Sequence, residues 1–158
     1  MMPSDWPEVS IIYEEGIVTG YATFETQVPS FEVWNRAHLD IGRLVALHQE
    51  CIAGWAALSS VSNRCVYHGV AEVSIYIGKL YRGMGIGKQL MKQLIKVSEE
   101  AGFWTLQSGI FPENKASVAL HEQMGFRYLG CRKKIARYKG EWKDNLIFER
   151  RSTCIGQD

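Results

Sequence analysis

Arg82-Gly83-Met84-Gly85-Ile86-Gly87-Lys88 is the stretch on which the reading of this chain turns. Three alternating glycines separate a strand-like run, Val70–Ile77, from a helix-like run that extends to about Ala101. Glycine permits close backbone approach and left-handed dihedrals. The first N–H groups of a helix have no intrahelical partner, and with the helix dipole they attract anions. Arg82 and Lys88 add positive charge at the two ends. The pattern describes a phosphate or diphosphate cradle, although by itself it also describes a glycine-rich turn without a ligand. Two other phosphate loops do not fit. A Walker A loop needs glycine five residues after Gly83, where Lys88 stands, and a dinucleotide fingerprint fails at the same residue. That fingerprint also lacks its acidic residue at the end of a second strand, within Gly102–Gln107.

Working outward, Val73, Ile75 and Ile77 alternate with Glu72, Ser74 and Tyr76, the period of a strand. Upstream, Arg43–Leu47 and Cys51–Leu58 flank His48-Gln49-Glu50 and read as a hairpin, and Ser59–Asn63 reads as a turn. Ser30 can cap a helix through about Leu39 that buries Phe31, Trp34 and Ala37. Ser4 or Asp5 can cap an earlier helix with Val9, Ile12 and Tyr13 at helical spacing and Gly16 as its stop; residues 17–29 then form a loop. Downstream, Leu90, Met91, Leu94, Ile95 and Val97 form the apolar face of the helix after the glycine loop, which ends at Gly102. A strand over Phe103–Ile110, a helix over Lys115–Met124 and strands over Phe126–Lys133 and Asn145–Arg150 follow, and the tail beyond Arg151 is expected to be loose. This order implies an α/β fold of one domain, a central sheet with helices on both faces.

Composition narrows the function. The chain has 158 residues, 46% of them apolar, with a formal net charge of +1. Near-neutral charge argues against a general nucleic-acid binder but leaves room for a local basic pocket. Cys51, Cys65, Cys131 and Cys154 match no zinc spacing, so free thiols and no metal are expected. The N-terminal residues have no secretory pattern, and no apolar run is long enough to span a membrane, so the expected setting is cytoplasmic.

Arg82, Gly85 and Gly87 also satisfy R/Q-x-x-G-x-G/A, and here the sequence resembles the GNAT acetyltransferases. A second stretch, Asn114-Lys115-Ala116-Ser117 with Leu120-His121-Glu122-Gln123-Met124-Gly125-Phe126, resembles that family's other signature. The resemblance implies a mixed, mostly antiparallel, splayed sheet. It implies that residues 82–88 (Arg82, Gly83, Met84, Gly85, Ile86, Gly87 and Lys88) hold the diphosphate of acetyl-CoA, while Ile75, Tyr76 and Ile77 offer backbone groups to its pantetheine arm. One of those N–H groups would polarise the thioester carbonyl. Asn114 and Ser117 would meet the same arm, although Asn114 reads equally well as a helix cap.

Within the family the chain is similar to the phosphinothricin acetyltransferase-like branch, over about residues 5–151. Thr23-Phe24-Glu25-Thr26, Arg64, Tyr67, Glu72–Ile77, His121 and Gly140–Asp144 carry that likeness. It implies transfer of an acetyl group to the amine of a small amino-acid-like substrate such as phosphinothricin, methionine sulfone or methionine sulfoximine, and a homodimer. An α-amine has a pKa of about 8, so attack requires a base. Glu72 fits that role, or a cross-strand ion pair. His121 stands where many relatives have Tyr; it would protonate the leaving thiolate, bond the cofactor, or simply cap and pack. Arg64 would clamp a substrate anion, with Tyr67, Phe24, Glu25 and Thr26 shaping the pocket. Two departures stand out. The branch begins with a strand ahead of the first helix, for which Met1–Ser4 leaves at most a stub. Lys139 replaces a frequent His. Two rival functions remain open: acetylation of peptide or protein N-termini, and a non-catalytic acetyl-CoA-binding module.

Overall fold

In the computed structural model, which describes residues 1–157, six strands form one sheet in the order β1-β2-β3-β4-β6-β5. They are β1 (Leu44–His48), β2 (Cys51–Ser60), β3 (Val70–Ile77), β4 (Thr105–Ile110), β5 (Arg127–Tyr138) and β6 (Glu141–Arg151). Every pairing is antiparallel except β3 with β4. The helices are α1 (Trp6–Thr19), α2 (Phe31–Ala37), α3 (Ile86–Glu100) and α4 (Lys115–Gln123).

The alternation in β2 and β3 builds two cores, one on each face. Leu90, Met91, Leu94 and Ile95 of α3 bury against Ala56, Leu58, Ala71 and Val73, and α4 adds Val118 and Leu120. Each fully buried side chain of this kind contributes about 1.5–3 kcal/mol. On the other face Val9, Ile12, Tyr13 and Ile17 of α1 meet Trp34 of α2 and Trp55 and Ala57 of β2. No helix among the described residues is long and apolar enough to cross a membrane.

Three expectations change. Gly16 does not stop α1; the helix runs to Thr19 and ends on Gly20, whose φ is 77°. A Cβ at Gly16 would sit 2.7 Å from the Tyr76 ring, so this glycine is a close-packing residue. The last two strands form one long hairpin over residues 127–151 that includes the stretch 134–144. Residues 152–155 are held rather than loose, while Asp158 of the expected loose tail lies outside the described residues: the Ser152 N–H donates to the Trp104 carbonyl, and the buried Ser152 hydroxyl accepts from the N–H groups of Cys154 and Ile155. Chain order begins with helix, and the first strand, β1, forms one sheet edge.

Candidate active site

The site originates in an interrupted ladder. β3 pairs with β2 as far as Ile77, but with β4 only at Val70, Ala71 and Glu72, opposite Thr105, Leu106 and Gln107. Beyond Glu72 the strands part, leaving residues 73–77 with a neighbour on one side only. A cleft of about 850 Å³ opens there. Its walls come from both strands, the glycine loop, α4, the loop after α1 and the β5–β6 hairpin.

The loop at one end has the expected geometry. Gly83 and Gly85 adopt φ of 78° and 77°, and α3 starts directly after Gly85. Its first backbone bond runs from Gln89 N to Gly85 O, at 3.2 Å. Among the described residues, no backbone carbonyl receives the N–H groups of residues 83–88. Arg82 and Lys88 line the cleft beside them, with Arg82 Nε donating to the Ile77 carbonyl at 3.2 Å. Free amides beside two cations suit a diphosphate, and a strand edge with one free side suits an extended amide-bearing chain. This chain's residues therefore fit acetyl-CoA. The side chain of Met84 lies off the cleft wall.

Glu72 stands where the ladder stops. Glu72 keeps solvent access, but the crowded walls push its carboxyl above the ordinary range; the Arg132 charge and the Gln107 amide oppose that shift. Tyr76 sits between Tyr13 and Trp55, stacked on Trp55 with ring centroids 4.6 Å apart. Burial raises the pKa of both tyrosines, so both stay protonated.

His121 is 1% exposed on α4. Its Nδ1 lies 2.8 Å from the Ser117 carbonyl, which can only accept, so Nδ1 carries the hydrogen. Burial lowers the ring's pKa, and Nε2 has no partner. The neutral ring thus offers a lone pair at Nε2 and no proton to give there. Asn114 caps α4 by accepting from Ser117 N at 3.1 Å, and its amide donates to the Tyr21 carbonyl at 3.5 Å. Asn114 and Ser117 both line the cleft.

The anticipated substrate residues divide. Phe24 lines the cleft and packs on Phe111, with ring centroids 4.4 Å apart. Glu25 holds the loop in place by accepting from the Tyr138 hydroxyl at 3.4 Å through its carbonyl. Thr26 faces a separate shallow groove along α1, and Arg64 and Tyr67 lie outside the cleft wall. Sequence reading missed Gln107 and Arg132, which the sheet brings to the cleft near Glu72, and Asn145, which lines the same cleft beside Gly109. No local signal marks them: Gln107 stands between the polar Thr105 and Ser108, and Asn145 directly follows Lys143 and Asp144.

Comparison with known proteins agrees with this geometry. The family model described as Acetyltransferase (GNAT) family matches residues 6–126. A phosphinothricin N-acetyltransferase of Alcaligenes faecalis is 31% identical over 153 residues, covering 92% of this chain and 77% of that protein. The crystal structure of a GNAT superfamily phosphinothricin acetyltransferase from Sinorhizobium meliloti, in complex with acetyl-CoA, has a TM-score of 0.85 and 27% identity and covers 100% of this chain and 94% of that one. A ribosomal-protein-alanine N-acetyltransferase from Brucella melitensis has a TM-score of 0.88 and 27% identity and covers 96% and 97%. The splayed sheet and its glycine-loop cleft define an acetyl-CoA-dependent N-acetyltransferase. The chain belongs to the GNAT family.

Proposed function

We propose that this protein acetylates the primary amine of a small amino-acid-like substrate. The observation that carries the reading is the placement of Glu72: its carboxylate stands where β3 leaves β4, at the inner end of the free strand edge that leads to the glycine loop. The amides of residues 83–88, with Arg82 and Lys88, hold the diphosphate of acetyl-CoA, and the backbone of Ile75, Tyr76 and Ile77 aligns its arm. When bound, acetyl-CoA supplies an activated acetyl group. Glu72 takes a proton from the substrate ammonium, and its raised pKa brings it closer to the amine it must serve. Phe24 and Phe111 close the substrate end and exclude water. Positioning accounts for much of the acceleration. His121 fixes α4 against the cleft and, as folded, acts as an acceptor.

The likeness to phosphinothricin N-acetyltransferase supports a free amino acid bearing a second polar group. The likeness to a ribosomal-protein-alanine N-acetyltransferase favours a second reading, acetylation of a protein N-terminus. A thiol-release assay with acetyl-CoA decides between them. The panel holds phosphinothricin, methionine sulfone, methionine sulfoximine, other amino acids and alanine-terminated peptides. Turnover confined to free amino acids supports the first reading, and faster turnover of the peptides overturns it.

A further inference from the structure

Apart from Arg82 and Lys88 at the glycine loop, the cleft wall carries two opposite charges that do not meet. Glu72 lies at the last rung of the β3–β4 pairing. Arg132 lies on β5 opposite Asn145 of β6, just before the irregularity that separates it from Ala136. Both line the cleft, and Arg132 is near enough to favour the charged form of Glu72. Yet among the described residues the ion pairs go elsewhere: Arg127 takes Glu149, and Lys143 takes Glu113 and Glu141, while Glu72 and Arg132 form none. Arg132 also opens a basic run that continues through Lys133, Lys134, Arg137 and Lys139, none of them ion-paired among the described residues.

A carboxylate and a guanidinium that face one cleft without touching leave a space with a fixed polarity. An α-amino acid has the reverse polarity, with an ammonium and a carboxylate on one carbon. Guanidinium binds a carboxylate through two parallel hydrogen bonds, each charge-assisted. A plain amine or a peptide N-terminus would satisfy Glu72 alone, because its α-carbon bears no anion.

We propose that Arg132 receives the carboxylate of a free amino-acid substrate whose ammonium faces Glu72, and that this pairing selects zwitterions over amines and peptides. The proposal rests on the acetyl-transfer reading above but assigns substrate selection to a residue of the β5–β6 hairpin. Arg64, which the resemblance implicated, lies outside the cleft wall.

Calorimetry on the protein saturated with CoA tests the proposal without turnover. The probes are phosphinothricin, methionine sulfone, methionine sulfoximine and the α-carboxamide of each. The wild type is expected to bind at least one acid about 30-fold more tightly than its carboxamide, since a bidentate charged pair contributes about 2 kcal/mol. R132M should lose that preference, with carboxamide affinity within about 3-fold of wild type, and R132K should retain part of it. CoA affinity and melting temperature should match wild type in both variants, because Arg132 is exposed. Binding of no acid by the wild type, equal binding of acid and carboxamide, or an acid preference that survives in R132M overturns the clamp. Arg132-dependent binding of an acid without thiol release from acetyl-CoA leaves the clamp standing and removes the acetyl-transfer reading. Thiol release that is faster with carboxamides than with acids does the reverse.

Discussion

Glu72 on β3 and Gln107 on β4 are the last residues to face each other before the two strands separate. The same rung that ends the parallel ladder thus sets the carboxylate in the cleft wall, with Gln107 opposite it.

E72Q should lower kcat by about 100-fold or more, the usual contribution of a general base, while acetyl-CoA affinity stays within about 3-fold. Steady-state kinetics and calorimetry read the two effects. Equal turnover in E72Q and wild type would remove Glu72 as the base.

Crowding raises the Glu72 pKa, and Glu72 must be ionised to act as the proposed base. The acid limb of kcat should therefore lie above the ordinary glutamate value of about 4.3. R132M should move that limb higher, because Arg132 favours the ionised form. The sign for stability is opposite to that of a salt-bridged carboxylate. A folded pKa above the unfolded one means that the folded state holds the proton more tightly, so stability falls as pH rises through that interval. E72Q should melt no lower than wild type at pH 7, and the difference should vanish below the unfolded pKa. A lower melting temperature for E72Q at pH 7 would contradict the shift.

G85A forces a side chain into φ of 77°, where a Cβ would meet no atom within 4 Å. The cost is therefore conformational, about 1–2 kcal/mol. Either that energy appears as a lower melting temperature, or the loop relaxes and its amides turn away from the diphosphate. Calorimetry should show acetyl-CoA binding weakened about 10-fold or more; unchanged affinity and stability would refute this.

G16A should destabilise the fold although alanine favours helix by about 1 kcal/mol over glycine. The added Cβ would lie 2.7 Å from a Tyr76 ring that is packed between Tyr13 and Trp55. Overpacking of this kind costs about 1–3 kcal/mol. Thermal unfolding measures the sum, and a stabilised variant would show that the ring moves freely.

S152A should lose about 1 kcal/mol, because two backbone N–H groups lose their acceptor. Hydrogen exchange at Cys154 and Ile155 should speed up without a change in turnover. Unaltered exchange would mean that the terminal segment is held by other bonds.

Much of the site was legible where local rules govern. The alternation of Val73, Ile75 and Ile77 located β3 to the residue, and the glycines at 83 and 85 do adopt the left-handed dihedrals their spacing implies. Ser30 and Asn114 cap their helices as their residue types suggest. What stayed hidden depends on tertiary contact. Gly16 reads as a stop because sequence cannot reveal a tyrosine ring 60 residues away that needs its missing Cβ. The stretch 134–144 is too charged to alternate, yet Ala136, Arg137 and Tyr138 pair with Lys143, Trp142 and Glu141 along β5 and β6. Arg132 lies in a row of cations, Arg132-Lys133-Lys134, and only the local irregularity of the hairpin decides which of them turns to the cleft.

The two flanks of the cleft are consecutive halves of the polypeptide: β1-β2-β3 comes from residues 44–77, and β4-β6-β5 from residues 105–151. Each half is closed by its own hairpin, whereas the strands of the two halves pair across the seam at three rungs only. A molecule lodged in that seam acts as a rivet. If acetyl-CoA binds the folded chain there, as proposed, the melting temperature should climb with each increment of acetyl-CoA.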